Sequence, residues 1–420
     1  MPNMKENSIN YHNTKIGRIP KSWKLSKLSD LGQIIVSNVD KKVKEKEFPV
    51  NLCNYMDVYQ NEYLSKKSTF MVGSATKTEI ERYSLCKGDV VMTKDSETSR
   101  DIASSTVIVD TIPNLICGYH LAIIRPNKSL IDGCYLSKAL QYRNIHKQFV
   151  INANGVTRFG LTLPVIKDAI MSVPPLNEQR KISEILSTWD QAIEKVQHLI
   201  EKKQKLKKGL TKNFITGRIH FPNFQNDWKQ KSLGSFLQPI ARKVEKPNKS
   251  YLRLGIRSHG KGTFTSIVDD PNTIDLTHLY QTRKNDLIVN ITFAWEGAIA
   301  LVSPDGDGAL VSHRFPTYVF VTSKMLPEYF KHLMVTDRFF YELVLISPGG
   351  AGRNRVMNKG DFLKIMVTIP GVEEQKKIAG MLCGLDDQID LLKKYLENLK
   401  EQKKGLMEKL LTGEIRVKVD

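Results

Sequence analysis

The sequence predicts a mixed α/β fold class of the α+β kind. It consists of two tandem globules separated and followed by long helices that pair as an antiparallel coiled coil with pseudo-two-fold symmetry. Three observations predict it. Residues 174–221 align without a gap on residues 370–417, an offset of 196 in a chain of 420. Both segments carry apolar residues at alternating steps of three and four, the pattern of a heptad seam. Ahead of each lie short β-branched runs punctuated by Gly, Asn, Asp and Pro, which read as strands and turns.

The elements follow in order. Trp23-Lys24 with Leu28 opens the first half and recurs as Trp228-Lys229 with Leu233. Tyr83 to Val91 (Y-S-L-C-K-G-D-V-V) recurs as Tyr280 to Ile288 (Y-Q-T-R-K-N-D-L-I), at an offset of 197. Strands are predicted at Val90 to Thr93 and Thr106 to Val109, and in the second half at Leu287 to Ile291 and Tyr318 to Val321. His120 and His313 fall in similar settings, each before a strand-like run, and read as structural histidines more readily than as bases. A helical stretch follows in each half, Tyr135 to Phe149 and Pro327 to Leu345.

The long helices open on P-P-L-N-E-Q-R-K-I-S-E-I-L (Pro174 to Leu186) and P-G-V-E-E-Q-K-K-I-A-G-M-L (Pro370 to Leu382). Both continue to K-K-G-L (Lys207 to Leu210; Lys403 to Leu406) and close on T-G-x-I (Thr216 to Ile219; Thr412 to Ile415). Glu178 and Glu374 place negative charge in the first turn, where the helix dipole favours it. The predicted seam runs through Ile182, Ile185, Trp189, Ala192, Val196, Leu199, Leu206 and Leu210. In the second copy it runs through Ile378, Met381, Leu385, Leu392, Tyr395, Leu399 and Leu406. About 35 residues at 1.5 Å rise make each helix roughly 50 Å long. Lys203 interrupts the first seam, Gln388 and Gln402 the second, and Gly380 and Gly384 each cost about 1 kcal/mol of helix propensity. Polar seam positions fix register and partner, so the helices are expected to pair with each other. The alternative is two amphipathic helices, each packed on its own globule.

Charge narrows the function. The chain has 63 Lys+Arg against 44 Asp+Glu, a formal net charge of +19. Such an excess gains affinity for nucleic acid by releasing condensed counterions, and that reading is favoured over an anionic membrane surface because no basic amphipathic anchor is present. No run approaches the roughly 18 apolar residues of a membrane span, and MPNMKENSINYHNTK lacks the apolar core of a signal peptide, so a cytoplasmic protein is expected. Cys53, Cys86, Cys117, Cys134 and Cys383 show no C-x-x-C spacing, which argues against a zinc ribbon or disulfide framework.

Catalytic and nucleotide motifs are not found. Gly255 to Gly262 (GIRSHGKG) has phosphate-loop spacing, but Gly262 stands where a magnesium-binding hydroxyl is needed. Val173-Pro174-Pro175-Leu176 lacks the polar and aromatic flanks of a base-methylating site, and no H-E-x-x-H or paired Cys/His set occurs. Candidate base-contacting residues lie instead in polar loops. In the first globule these are Lys94, Ser96, Thr98 and Arg100 after the Val90 to Thr93 strand, and Asn152, Asn154, Thr157 and Arg158 in INANGVTRFG. In the second they are Arg257, His259 and Lys261 in the Gly-rich loop and Arg353, Asn354 and Arg355 in GGAGRNR. Arg, Lys and Asn carry donors and acceptors that match guanine and adenine edges in the major groove. A solvated loop is the alternative for each. The globules differ at these places, so two different half-sites are expected.

The twice-occurring P-x-x-E-Q-x-K-I opening, the heptad helix and the K-x-G-L…T-G close resemble the specificity subunit of type I restriction–modification systems, over essentially the whole chain. The resemblance implies a first target recognition domain at 1–172, a central helical spacer region at 173–220, a second target recognition domain at 221–368 and a C-terminal helical spacer region at 369–420. It implies a non-catalytic subunit whose two domains each read one half of a bipartite sequence in double-stranded DNA. The helices would set the spacer and dock two methylation subunits, with restriction subunits joining the full complex. No cofactor would be bound by this chain; S-adenosylmethionine and ATP are expected on partner subunits. The basic run Lys202, Lys203, Lys205, Lys207 and Lys208 would touch the DNA backbone across the spacer or form a solvated helix face. A stand-alone bipartite DNA-binding regulator with a coiled-coil clamp is the competing reading, and a coiled-coil scaffold without nucleic acid a third.

Overall fold

A computed structural model describes residues 10–224, 228–350 and 355–419. The chain divides into two compact units: Met1–Lys195 with Leu396–Asp420, and Val196–Tyr395. The central helix, Leu176–Ile215, and the C-terminal helix, Val372–Thr412, each contribute residues to both units.

In the first unit the main sheet has five strands in the order Gly32–Val36, Leu121–Pro126, Val90–Thr93, Ser105–Ile108 and Tyr63–Leu64. Successive strand residues point to opposite faces, and both faces here are covered. Val90, Met92, Ala122 and Ile124 enter a core with the helices Gly133–Gln141 and Arg143–Asn152. Val91, Leu121 and Ile123 enter a second core with Leu52, Cys53 and Ile116 of a three-stranded sheet. This double burial is why the strands read as continuous apolar runs.

The second unit repeats the device. Its four-stranded sheet runs in the order Leu237–Ile240, Thr317–Phe320, Leu287–Val289 and Ile299–Leu301, with Leu287 and Val289 facing one core and Ile288 another. A five-stranded sheet follows in the order Lys243–Glu245, His278–Gln281, Leu310–Val311, Tyr251–Ile256 and Thr263–Val268.

The single helical stretch expected in each half is in fact two helices. Gly133–Gln141 ends at Tyr142, whose ψ of 132° is extended, and Arg143–Asn152 begins there. In the second half Pro327–Leu333 is followed by Asp337–Leu345, with the Thr336 hydroxyl accepting from Phe339 N as N-cap.

The repeated tryptophans and the E-Q pair form a buried latch. In the first unit Lys24–Lys27 pairs antiparallel with Ile170–Val173, the strand that leads into the central helix. Trp23 Nε1 donates to Glu178 at 3.0 Å, and Arg416 pairs with the same carboxylate. Gln179 Nε2 donates to the carbonyls of Leu130 and Pro174, while its Oε1 accepts from Asp132 N at 2.8 Å. In the second unit Lys229–Ser232 pairs with Met366–Ile369. Trp228 donates to Glu374 at 3.0 Å, with His220 as the second partner. Gln375 donates to Lys324 O and Pro370 O and accepts from Leu326 N. All four E-Q residues are buried. The glycines of T-G-x-I have left-handed φ values, +67° at Gly217 and +71° at Gly413, which end the helices. A Cβ on Gly217 would meet the Trp228 ring at 3.4 Å, and one on Gly413 would meet Pro20 at 2.4 Å.

The helix faces differ in part from the predicted seam. Ile182, Ile378 and Leu399 are buried, Ile185 and Met381 pack on the cores, and Trp189, Val196, Leu385 and Leu392 are half-buried. Leu199, Leu206 and Tyr395 are exposed, at 42%, 52% and 53%, and are not seam residues. Buried besides them are Leu186, Ile200 and Phe214, and Leu382, Ile389, Leu396 and Leu410. These keep the heptad but in a neighbouring frame. Steps of three and four are interchangeable on a helix turning 100° per residue, so Leu199 and Ile200 compete locally and tertiary neighbours choose. In the second unit two of the residues that interrupted the seams meet, Lys203 Nζ donating to Gln388 Oε1 at 2.7 Å. Lys207 and Lys331 both pair with Asp386 nearby. In the first unit buried Lys138 lies between Glu62 and Asp190, and Lys403 pairs with the same two carboxylates. These bonds hold the carboxyl of Asp190 below its usual range despite the opposing effect of burial.

Candidate nucleic-acid interface

Three chain segments converge beside the main sheet of the first unit. Beyond Val90–Thr93, Lys94 N donates to His120 O at 3.0 Å and Leu161 N donates to Lys94 O at 2.7 Å. Asp95 and Ser96 pair antiparallel with Gly160 and Phe159. The loop between Asn154 and Gly160 is closed by mutual backbone hydrogen bonds of 3.0 and 2.8 Å. Gly155 has φ +143°, and a Cβ there would lie 1.9 Å from Arg158 O, so only glycine permits this turn.

This closure assembles charged and aromatic side chains. Asp95 accepts from His120 Nδ1 at 2.5 Å and from Lys94 Nζ at 3.0 Å. Arg158 NH2 donates to His120 Nε2 at 3.1 Å. A carboxylate can only accept, so His120 donates from Nδ1 and its Nε2 lone pair takes the arginine. The Tyr119 ring centroid lies 3.7 Å from that of His120 and is 47% exposed. His120 sits at φ +73°, in the left-handed region that costs a non-glycine residue energy.

The second unit builds the same closure with other side chains. Ile291 N donates to Arg314 O at 3.0 Å, and Met357 N donates to Ile291 O at 2.8 Å. Arg314 rather than His313 therefore occupies the place of His120, and its guanidinium donates to Thr292 Oγ1 at 3.3 Å. Arg355 lies 5.1 Å from the Trp295 ring centroid. The Gly-rich loop is tied to this corner: Ser258 Oγ donates to Glu296 at 2.9 Å, His259 N to Glu296 O at 2.8 Å and Gly260 N to Gly297 O at 2.9 Å. Arg257 donates to Thr263 O at 2.6 Å and stacks over Phe264. A cavity of about 660 Å³ lies alongside, lined by Arg253, Ser258, Phe264, Asn290, Phe293 and Glu296 among others.

The sequence-predicted residues thus sort themselves. Lys94 and Arg158 meet in one cluster, with Asn154 at the base of the same loop. Thr157 is exposed in that loop; Asn152, at the end of the helix before it, and Arg100, in the turn after Ser96, are exposed outside it. Thr98 is exposed but donates to Asp101 at 2.7 Å. Ser96 is a correction: it is only 5% exposed, and its hydroxyl accepts from Thr98 N, so it shapes the turn rather than facing solvent. Arg257, His259 and Lys261 are exposed around one loop, and Arg355 lies near it on Trp295. Arg353 and Asn354 lie outside the described residues. Sequence reasoning missed Asp95, Tyr119, Arg314 and Trp295 and gave His120 a structural role. The signal available was the polar run after a repeated strand, but which residues meet across 25 to 60 positions is fixed by strand pairing. Among the described residues no three His, Cys, Asp or Glu side chains are grouped to hold a metal ion, and no helix is long and apolar enough to cross a membrane.

Comparison with known proteins identifies the family. The model of the type I restriction modification DNA specificity domain fits residues 20–204 and again 225–401. The chain belongs to that family and is a type I restriction–modification specificity subunit with two tandem DNA-recognition domains. Among its relatives, the candidate MjaX specificity subunit of a Methanocaldococcus jannaschii type I restriction enzyme is 27% identical, over 97% of both chains. The MjaVIII specificity subunit from the same organism is 22% identical, over 96% of this chain and 95% of the relative. The crystal structure of a type I restriction-modification S subunit from M. genitalium shares the fold at a TM-score of 0.57, with 15% identity over 97% of each chain.

Proposed function

We propose that this subunit reads a bipartite DNA target, residues 1–172 contacting one half-site and residues 221–368 the other. The observation that carries this reading is that both units bring the same three segments together yet line them differently, with Asp95, His120 and Arg158 in one and Thr292, Arg314 and Arg355 in the other. Equal scaffolds with unequal donors suit two different sequences. The helical regions 173–220 and 369–420 pair as an antiparallel coiled coil and set the spacer. Within the second unit Lys203 meets Gln388 and Lys207 meets Asp386, partners whose numbers run in opposite directions. Within the first, Glu178 meets Arg416 and Asp190 meets Lys403 in the same opposite sense.

The chain performs no chemistry in this reading. It docks two methylation subunits, which bring S-adenosylmethionine, and restriction subunits, which bring ATP, in the cytoplasm. Co-expression with an adenine-methylating partner subunit, followed by genome-wide mapping of methylated adenines, tests it. A gapped two-part motif is expected, and its absence refutes the reading. Exchanging residues 222–368 for another such domain should change one half of the motif only. Lengthening one helix should change the gap and leave both halves intact. Tight specific binding by the isolated chain, with no methylation in the presence of the partner subunit, would point to a stand-alone regulator instead.

A further inference from the structure

We propose that Arg158 reads a guanine in the first half-site, and that His120 and Asp95 are the positioning residues that hold its guanidinium for this contact. The inference rests on the DNA-recognition reading and names the side chain and the base.

The argument is one of preorganisation. Arg158 is exposed on a loop whose ends are closed at Asn154 and Gly160, so its backbone is fixed. One nitrogen of its fork donates to His120 Nε2 at 3.1 Å, leaving other N–H groups of the guanidinium free to donate outward. The imidazole is fixed in turn by Asp95 at 2.5 Å and by the Tyr119 ring against it. Gly160 leaves the room this requires: a Cβ there would stand 2.9 Å from the Asp95 carboxylate. Guanine presents two acceptors, N7 and O6, to a planar donor pair in the major groove, whereas adenine offers an acceptor and a donor.

A phosphate contact would not need this construction. It requires a positive charge near the backbone, and this chain carries 63 Lys and Arg. At this spot one cation, Lys94, is neutralised by Asp95 and only 19% exposed. The cluster spends a carboxylate, a strained histidine and an obligatory glycine on the orientation of one arginine. That is the economy of a base contact, in which angle matters as much as charge.

The test uses the full-length chain, assembled with its methylation subunit, on a randomised pool of duplexes whose bound fraction is sequenced. The wild type should select a two-part motif containing guanine in the half read by residues 1–172, assigned by exchange of that domain. A wild type with no sequence preference overturns the DNA-recognition reading itself. With a motif in hand, R158A should relax preference at a single G·C pair by about 10- to 100-fold while the other half-site is unchanged. D95A and H120A should relax the same pair, with the thermal midpoint recorded to exclude unfolding, and D95N, which keeps an acceptor toward His120 Nδ1, should restore it. Uniform weakening of all sequences by R158A, with the salt dependence reduced by about one phosphate, would show a backbone contact and overturn the proposal. Unchanged base preference in R158A would overturn it equally. If R158A relaxes the pair while D95A and H120A leave it intact, the positioning role is overturned.

Discussion

Trp23 donates its indole N–H to Glu178 across 155 positions of sequence, at 3.0 Å, and the second unit contains the same bond between Trp228 and Glu374. The E of the repeated E-Q pair is thus the acceptor for the tryptophan that opens each globule. The Q beside it binds the proline carbonyl just ahead of its own helix, and one carbonyl and one backbone N–H in the loop that leads into an earlier helix of the globule, Gly133–Gln141 or Pro327–Leu333. The repeat is a way of fixing each recognition domain on the start of its helix.

Removing an acceptor from this latch should be costly. Glu178→Ala strands the Trp23 N–H and the Arg416 guanidinium, and should cost about 3 kcal/mol. Trp23→Phe removes a single donor and part of a ring that is 3% exposed in the core, and should cost about 1–3 kcal/mol. Gln375→Leu leaves the Leu326 N–H and the Lys324 and Pro370 carbonyls without a buried partner and should cost about 2–3 kcal/mol. Urea denaturation of each variant against wild type measures these differences, and values under 0.5 kcal/mol for Glu178→Ala and Gln375→Leu would refute the latch.

Frame choice on the helices gives a second prediction. Ile200 is 7% exposed and its neighbour Leu199 is 42% exposed. Ile200→Ala should cost about 2–4 kcal/mol and Leu199→Ala less than about 1. Equal losses would restore the frame read from the sequence.

Glycine has two opposite roles here. Gly209 and Gly405, both in K-K-G-L within the long helices, have nothing within 4 Å of an added Cβ. Alanine at either should raise stability by about 0.5–1 kcal/mol. Gly217 and Gly413 have φ of +67° and +71° and face Trp228 and Pro20 at short range. Alanine there should lower stability by more than about 1 kcal/mol. Thermal melts of the four single variants separate the two classes. If the Gly209 and Gly405 variants melt higher yet assemble poorly with methylation subunits, a partner approaches the helix at those glycines.

Acid should weaken the second unit through His332. This side chain is buried, with Cys383 Sγ 3.5 Å away and Lys207, Lys331 and Asp386 around it. Burial first, and the two lysines next, push its pKa down to about 4. Between pH 6.5 and 4 the unfolded chain therefore binds a proton that the native state refuses. This group's contribution falls as pH drops through that window, by about 3 kcal/mol in total, and does not change above it. The low pKa of Asp386 adds a further loss at still lower pH. In His332→Asn the urea midpoint should lose its dependence on pH between 6.5 and 4.5; an unchanged slope would assign it to other groups.

Much of the molecule is legible in the residues because local pattern and global fold agree. The strands predicted at Val90 to Thr93, Thr106 to Val109, Leu287 to Ile291 and Tyr318 to Val321 appear within two residues. β-branched runs between turn residues have few other stable forms. The break at Tyr142 was not legible, since nothing local forbids a helix there and packing ends it. The candidate interface was half legible. Polar loops after repeated strands identified Lys94 and Arg158, whereas the pairing of His120 with Asp95 and the place of Arg314 depend on register between distant strands.

The tandem plan, the two long helices and their closing glycines can all be read from the residues alone. These depend on periodicity and on φ, which are properties of neighbouring residues. Which helix face is buried, that the E-Q pair is a latch for a tryptophan, and which side chains surround Arg158 are settled by packing between distant segments. Those outcomes belong to contacts across tens or hundreds of positions, where steps of three and four are locally equivalent and a hydrogen bond's distant partner leaves no trace in the pattern around it.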